Sequence, residues 1–184
     1  MRKLFLICFI ILSCLACETP VDQQATSGYF DLDELLTGQV QRLGHDILKS
    51  DKMIQINEES DRIYKELNSK MLEEELDVFK PFDPGLSRYR NAFDVTEIDG
   101  ITTYDKKEGV KQALQWVKVE RQASMLTVSA EILEETSIYT TQKKMSLVLD
   151  SDQIQSFSLL GYQKMLFKDT AFFEMKVSLL NPSN

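Results

Sequence analysis

The spacing of apolar residues changes period once along the chain. Over 31–50, Leu32, Leu36, Val40, Leu43 and Ile47 recur every three or four residues, which predicts an amphipathic helix. Asp31, Asp33 and Glu34 in its first turn and Lys49 in its last suit the helix dipole. Gly38 and Gly44 each weaken it by about 1 kcal/mol relative to Ala, so packing must hold it. A shorter helix is predicted over 69–80, where Leu72, Leu76 and Phe79 share a face. Ser69 is its candidate N-cap, and Pro81 ends it because the residue before a proline avoids the helical region. The stretch 51–67 fits two patterns. Ile63, Leu67 and Met71 stand four apart, as in a helix, while "KMIQI" and "DRIYKEL" around "NEES" read as a hairpin, and the hairpin is preferred.

After residue 92 the period becomes two. Asp99-Gly100 between β-rich runs is a strong hairpin signal, and a two-residue loop would pair Ile98 with Ile101 and Val95 with Tyr104. "LQWVKVERQ" (114–122) is a further strand. Leu126, Val128, Ala130 and Ile132 alternate with polar neighbours, as do Met145, Leu147 and Leu149. "QIQSFSLLGYQKML" and "TAFFEMKVSLL" follow, with Phe173, Met175, Val177 and Leu179 on one side of the second. "FDPG" (82–85), "EETS", "DSDQ" and "FKDT" are the polar links.

Successive alternating strands with short links predict an antiparallel meander with one apolar face. The expected fold is therefore α+β: one or two N-terminal helices packed on a curved antiparallel sheet of six or seven strands. A lipocalin-like closed barrel is the alternative. The 184 residues suffice for one such domain, placed at 31–184. Residues 17–30, polar with Pro20 and Gly28, read as a flexible tether.

Charge narrows the partners. The net charge is −8, and it becomes −10 without the first 16 residues, which carry Arg2 and Lys3 and no acid. An acidic chain without Lys/Arg clusters is not expected to bind nucleic acid.

The N-terminus is the most specific signal. Two basic residues, the apolar run 4–12 and then small residues follow the order of an export signal, too short to span a membrane, so 1–16 are read as a signal peptide. Cys8, Cys14 and Cys17 all lie at this end, and none lies in the body, which excludes a disulfide inside the folded part. The stretch "SCLACETP" (13–20) resembles the lipobox of bacterial lipoproteins, in which a small-residue box precedes the cysteine that is acylated and becomes the new N-terminus. Cys14 follows "ILS" and matches the box but leaves a short signal; Cys17 follows "CLA" at the more usual length, with Cys14 where Leu is expected. Length favours Cys17 as the lipid attachment site, with Cys14 as the alternative. The resemblance implies two or three acyl chains, enough for stable anchoring. The element order, from "YFDLDELL" to "GYQKMLFKDTAFFEMKV", also resembles small uncharacterised lipoproteins of Bacteroidota. That likeness favours the hairpin at 51–67 and implies no activity.

Catalytic chemistry is not legible. The one histidine, His45, is expected on the solvent side of the first helix, half a turn from Leu36. Glu73–Glu75, Glu134–Glu135 and Asp150/Asp152 read as solvated helix and turn residues, though a glycosidase-like acid pair would be drawn from such groups. No metal, nucleotide or other cofactor motif occurs. Trp116, Tyr104, Tyr139, Tyr162, Phe157 and Phe167 fall in the sheet region as core or cross-strand residues, or as the lining of a ligand cavity or partner surface.

The chain is thus expected to be an exported, lipid-anchored cell-envelope protein, at the outer membrane by preference, with its domain in the periplasm or at the cell surface. It is read as a binding or assembly-support module for a protein partner, and not as an enzyme. A carrier of a lipid or other hydrophobic ligand is the alternative, and a hydrolase using paired carboxylates the third reading.

Overall fold

A computed structural model describes residues 28–180. The expected signal peptide, all three cysteines and most of the expected tether lie outside the described residues.

Helix α1 spans Leu32–Leu43, and the Asp31 side chain caps it by accepting from the Glu34 N–H at 2.7 Å. It ends seven residues short of the expectation. Gly44 takes a left-handed conformation (φ 55°) and donates its N–H to the Val40 carbonyl, which terminates the helix. Leu32, Leu36 and Leu43 are buried, but Ile47 is 54% exposed and His45 is exposed beyond the cap, so neither belongs to the helix. Lys49 likewise lies in the first strand and not in a last helical turn.

Strands β1 (Leu48–Ile56) and β2 (Glu59–Leu67) form the expected hairpin, with Asn57 left-handed in its turn. Helix α2 follows at Ser69–Leu76, and its N-cap is Asn68, whose side chain accepts from the Met71 N–H. Ser69 is therefore the first helical residue and not the cap. The chain then tightens into a 3₁₀ turn over Asp77–Phe82 that runs through Pro81. At three residues per turn, Phe79 and Phe82 fall on one line and both enter the core.

The remaining strands are β3 (Phe93–Ile98), β4 (Ile101–Lys106), β5 (Leu114–Gln122), β6 (Met125–Glu135), β7 (Tyr139–Asp150), β8 (Gln153–Met165) and β9 (Ala171–Leu180). Asp99 and Gly100, both left-handed, turn β3 into β4 and set the expected pairs Ile98–Ile101 and Val95–Tyr104. All neighbours are antiparallel, and the order β2-β1-β9-β8-β7-β6-β5-β4-β3 makes one sheet of nine strands, more than the six or seven expected. β2 and β3 are its free edges, so the sheet is not closed and the barrel alternative is corrected. The two helical segments carry the chain from one edge to the other, and the meander returns until β9 pairs with β1.

One sheet face meets the helical layer. Val119, Val128, Leu147, Phe157 and Val177 occupy successive cross-strand positions on that face and are all buried. Phe79 meets Phe157 edge to face, with centroids 5.6 Å apart. Register shifts between Leu114 and Trp116 and between Val148 and Leu149 bend the strands around this layer. Tyr29 and Phe30, read as the end of the tether, join the packing: Tyr29 stacks edge-on with Phe93 and Tyr104, and the Phe30 N–H donates to the Tyr104 hydroxyl.

Candidate functional site

The two ends of the sheet differ. At the end with the turns at 99–100, 123–124 and 151–152, α1 closes over the strands. The Gln39 amide donates to the Asp152 carbonyl and accepts from the Ile154 N–H, while Arg42 donates to the same carbonyl. Beneath α2, Glu75 bridges Lys52 of β1 and Lys65 of β2, with Lys65 Nζ 2.6 Å from its Oε1. Burial pushes the Glu75 carboxyl up, but the two ammonium groups outweigh it and hold it below the usual range. Asp83 is buried at the start of α1, where its Oδ1 accepts from the N–H groups of Gly85 and Leu32. Desolvation raises its pKa, and those N–H groups oppose the rise.

The opposite end gathers the β1–β2 turn, the β6–β7 loop (136–138) and the β8–β9 loop (166–170). Backbone bonds tie them together. The Leu166 N–H donates to the Ile138 carbonyl at 2.9 Å, and Phe172 exchanges two bonds with Asn57. The Thr136 hydroxyl accepts from the Ile138 and Tyr139 N–H groups. Ile138, Met165, Leu166 and Phe167 are all exposed, Phe167 to 96%, and Phe172 and Ile56 stand exposed behind them.

The sheet face away from the helices carries a half-buried cluster. Glu131 accepts from Trp116 Nε1 at 3.1 Å and from the Gln142 amide, with Lys144 at 3.4 Å. These groups bond to one another across β5, β6 and β7. Of the sequence-selected carboxylates, Glu75 is absorbed by its lysines, whereas Glu73, Glu74, Glu134, Glu135 and Asp152 are exposed and do not converge. Among the described residues no group of three or more metal-ligating side chains occurs, and no helix is long and apolar enough to cross a membrane. A hollow of about 550 Å³ lies beside the C-terminal turn of α1, its lining mixed between apolar Leu43, Ile154 and Leu179 and polar Gln39, Arg42 and Asp46.

The aromatic residues separate into different roles. Tyr104 and Phe157 are core, Trp116 serves Glu131, Tyr162 meets Phe172, and Phe167 stands free in solvent. Sequence reasoning misses Leu166 and Ile138. The signal for Leu166 is "KMLFKDT", where an apolar run continues from the end of a strand into a link that is ordinarily polar, whereas Ile138 has no such signal.

No family model matches the chain, and no curated protein or solved structure is similar to it.

Proposed function

We propose that the chain is an exported cell-envelope lipoprotein, acylated at Cys17 (alternatively Cys14), whose domain serves as a binding or assembly-support module for a protein partner. The export and anchoring half stands on "SCLACETP" and the apolar run before it. The partner half is carried by one observation: the space between the helical layer and the open sheet is filled. Phe79, Phe82, Phe157, Leu147 and Val119 are essentially inaccessible there, where a barrel-type carrier needs a cavity for its ligand. The sheet face away from the helices remains uncovered and polar, with Lys118, Ser129, Ser146, Ser158 and Lys176 side by side across it. The outer membrane is the favoured location. The hollow beside α1 keeps a hydrophobic-ligand carrier as the second reading.

Mass spectrometry of the mature N-terminus tests the anchor. A diacylglyceryl-modified Cys17 is expected, lost in Cys17→Ser; an unmodified N-terminus beyond Cys17 overturns it. For the partner, photocrosslinkers placed at Lys118 and Lys176 in intact cells should give a discrete protein adduct. Lipid copurifying with the chain, with no adduct, would favour the carrier.

A further inference from the structure

We propose that the loop end of the sheet is a membrane contact of its own, with Phe167, Leu166, Met165 and Ile138 dipping into the bilayer surface. This goes beyond the anchored-module reading; only the tether argument below rests on it.

The first observation is conformational. The Lys168 N–H donates to the Met165 carbonyl and closes a turn with Phe167 at its third position. Phe167 has φ 63°, the left-handed region that suits Gly or Asn. A bulky residue there costs about 1 kcal/mol or more, and at 96% exposure it recovers nothing by burial. Turn geometry therefore does not account for a phenylalanine at this position. Exposed Ile138 of the β6–β7 loop is fastened beside it, because the Leu166 N–H donates to the Ile138 carbonyl.

The second observation concerns the occupant. The four tip side chains expose only a few hundred Å² between them, on the order of 500 Å², against about 800 Å² per partner in a stable protein interface. They stand at the loops that join β6 to β7 and β8 to β9. A bilayer needs no matching shape and accepts apolar groups to a depth of about 5–10 Å. The β8–β9 loop itself carries Lys164 and Lys168 against Asp169, while Glu58 and Glu59 of the β1–β2 turn and Glu134 before the β6–β7 loop add acids to the same end of the sheet, so the apolar tip and not charge carries the contact. Glu135 lies in the cross-strand row of Lys164, through Thr140, a step back from the tip. Lysine stems beside an apolar tip extend to the headgroups.

The third observation is reach. Ten residues stand between Cys17 and Gly28, eleven steps along the chain, a span of at most about 40 Å. The described chain begins beside Tyr104, whose cross-strand row runs through Val117, Ala130 and Met145 to Leu159. From that row the tip is eight residues along β8 and four strands across, about 26 Å by about 19 Å. One bilayer can therefore hold both the acylated cysteine and the tip.

The test uses the full chain with its native N-terminus, reconstituted in phosphatidylethanolamine vesicles containing phosphatidylglycerol. In Phe167→Trp, read against the parent's Trp116 signal, the added emission should shift blue and be quenched several-fold by acyl-brominated lipids. Adding Leu166→Asp should abolish the quenching while the circular dichroism spectrum is unchanged. If the emission added by Phe167→Trp is neither shifted nor quenched, the proposal is overturned. So does protection from aqueous acrylamide without lipid quenching overturn it, being the mark of a second copy or a protein pocket. If the N-terminus proves unacylated, the anchoring reading fails separately, and the tip is read by cosedimentation with the same vesicles. Phe167→Asp should then weaken partition by about thirtyfold, and equal partition overturns the proposal.

Discussion

Two phenylalanines one strand-length apart on β8 and its loop show how differently the two ends of this sheet are built. Phe157 lies under the helical layer, 2% exposed and edge-on to Phe79. Phe167 stands at the loop tip, 96% exposed in a left-handed backbone. Under the helical layer the large apolar side chains pack on one another, and polar groups such as Gln39, Asp83 and Glu75 are held by backbone or lysine partners, although Ile47, Ile98 and Met125 stand exposed at this end's margin. At the loop end backbone bonds tie the loops together while Ile138, Leu166 and Phe167 stand exposed. Burial explains the first end. The second is ordered without being stabilised by its own apolar residues, and this separates a surface kept for contact from one kept for folding.

The sharpest way to break the comparison is to truncate both rings. Phe157→Ala should lower unfolding free energy by about 3–5 kcal/mol, read by urea denaturation. A loss below about 1 kcal/mol would show that the helical layer does not pack as described. Next comes the ion cluster at the covered end. Glu75→Gln leaves Lys52 and Lys65 without their carboxylate and should cost about 2–3 kcal/mol at neutral pH. Because the folded carboxyl is held below the unfolded value of about 4.5, its contribution is present above that value and fades as pH falls below it. Asp83 works in the opposite sense: its raised pKa makes the ionised form the costlier one, so its contribution declines as pH rises from the unfolded value. Stability of wild type and Glu75→Gln should therefore converge on acidification, and parallel curves would remove Glu75 from the account.

A smaller effect is expected between the two ends. At Gly161 an added Cβ would lie 2.0 Å from the Gln142 carbonyl oxygen and 2.8 Å from the Phe173 ring, whose side chain crosses the glycine. Gly161→Ala should cost about 1–3 kcal/mol and accelerate amide exchange in β8 and β9, while α1 keeps its protection. The smallest effect belongs to the tip. Phe167→Asn, which tolerates the left-handed conformation, should leave stability unchanged or raise it by about 0.5 kcal/mol. A loss above about 1 kcal/mol would mean that the ring supports the fold after all.

Much of the domain follows from periodicity. The period-two runs fall on β5 to β9 with the expected residues inward, because one polar and one apolar face can be satisfied only by alternate burial. Asp99-Gly100 set its hairpin because two successive left-handed residues fit that turn and few other sequences supply them. Apolar spacing alone makes the first helix too long, since Ile47 continues the stripe while the termination at Gly44 is a backbone event. The strand count and the open edges are not legible, because whether a meander closes depends on which strand β9 meets, and that is a contact between Lys49–Ile56 and Phe173–Leu180.

The sequence by itself determined the acidic charge, the helix and strand stripes and the hairpin turns, since each is a property of neighbours along the chain. Only the tertiary structure decided that Glu75 sits between Lys52 and Lys65, that Asp83 caps the entry to α1, and that Ile138 and Leu166 meet at one tip. Those groupings join residues far apart in sequence through sheet register, and no local pattern encodes which distant residues register brings together. "SCLACETP" is the proposed point of attachment, and the fold supplies an exposed apolar feature at the loop end.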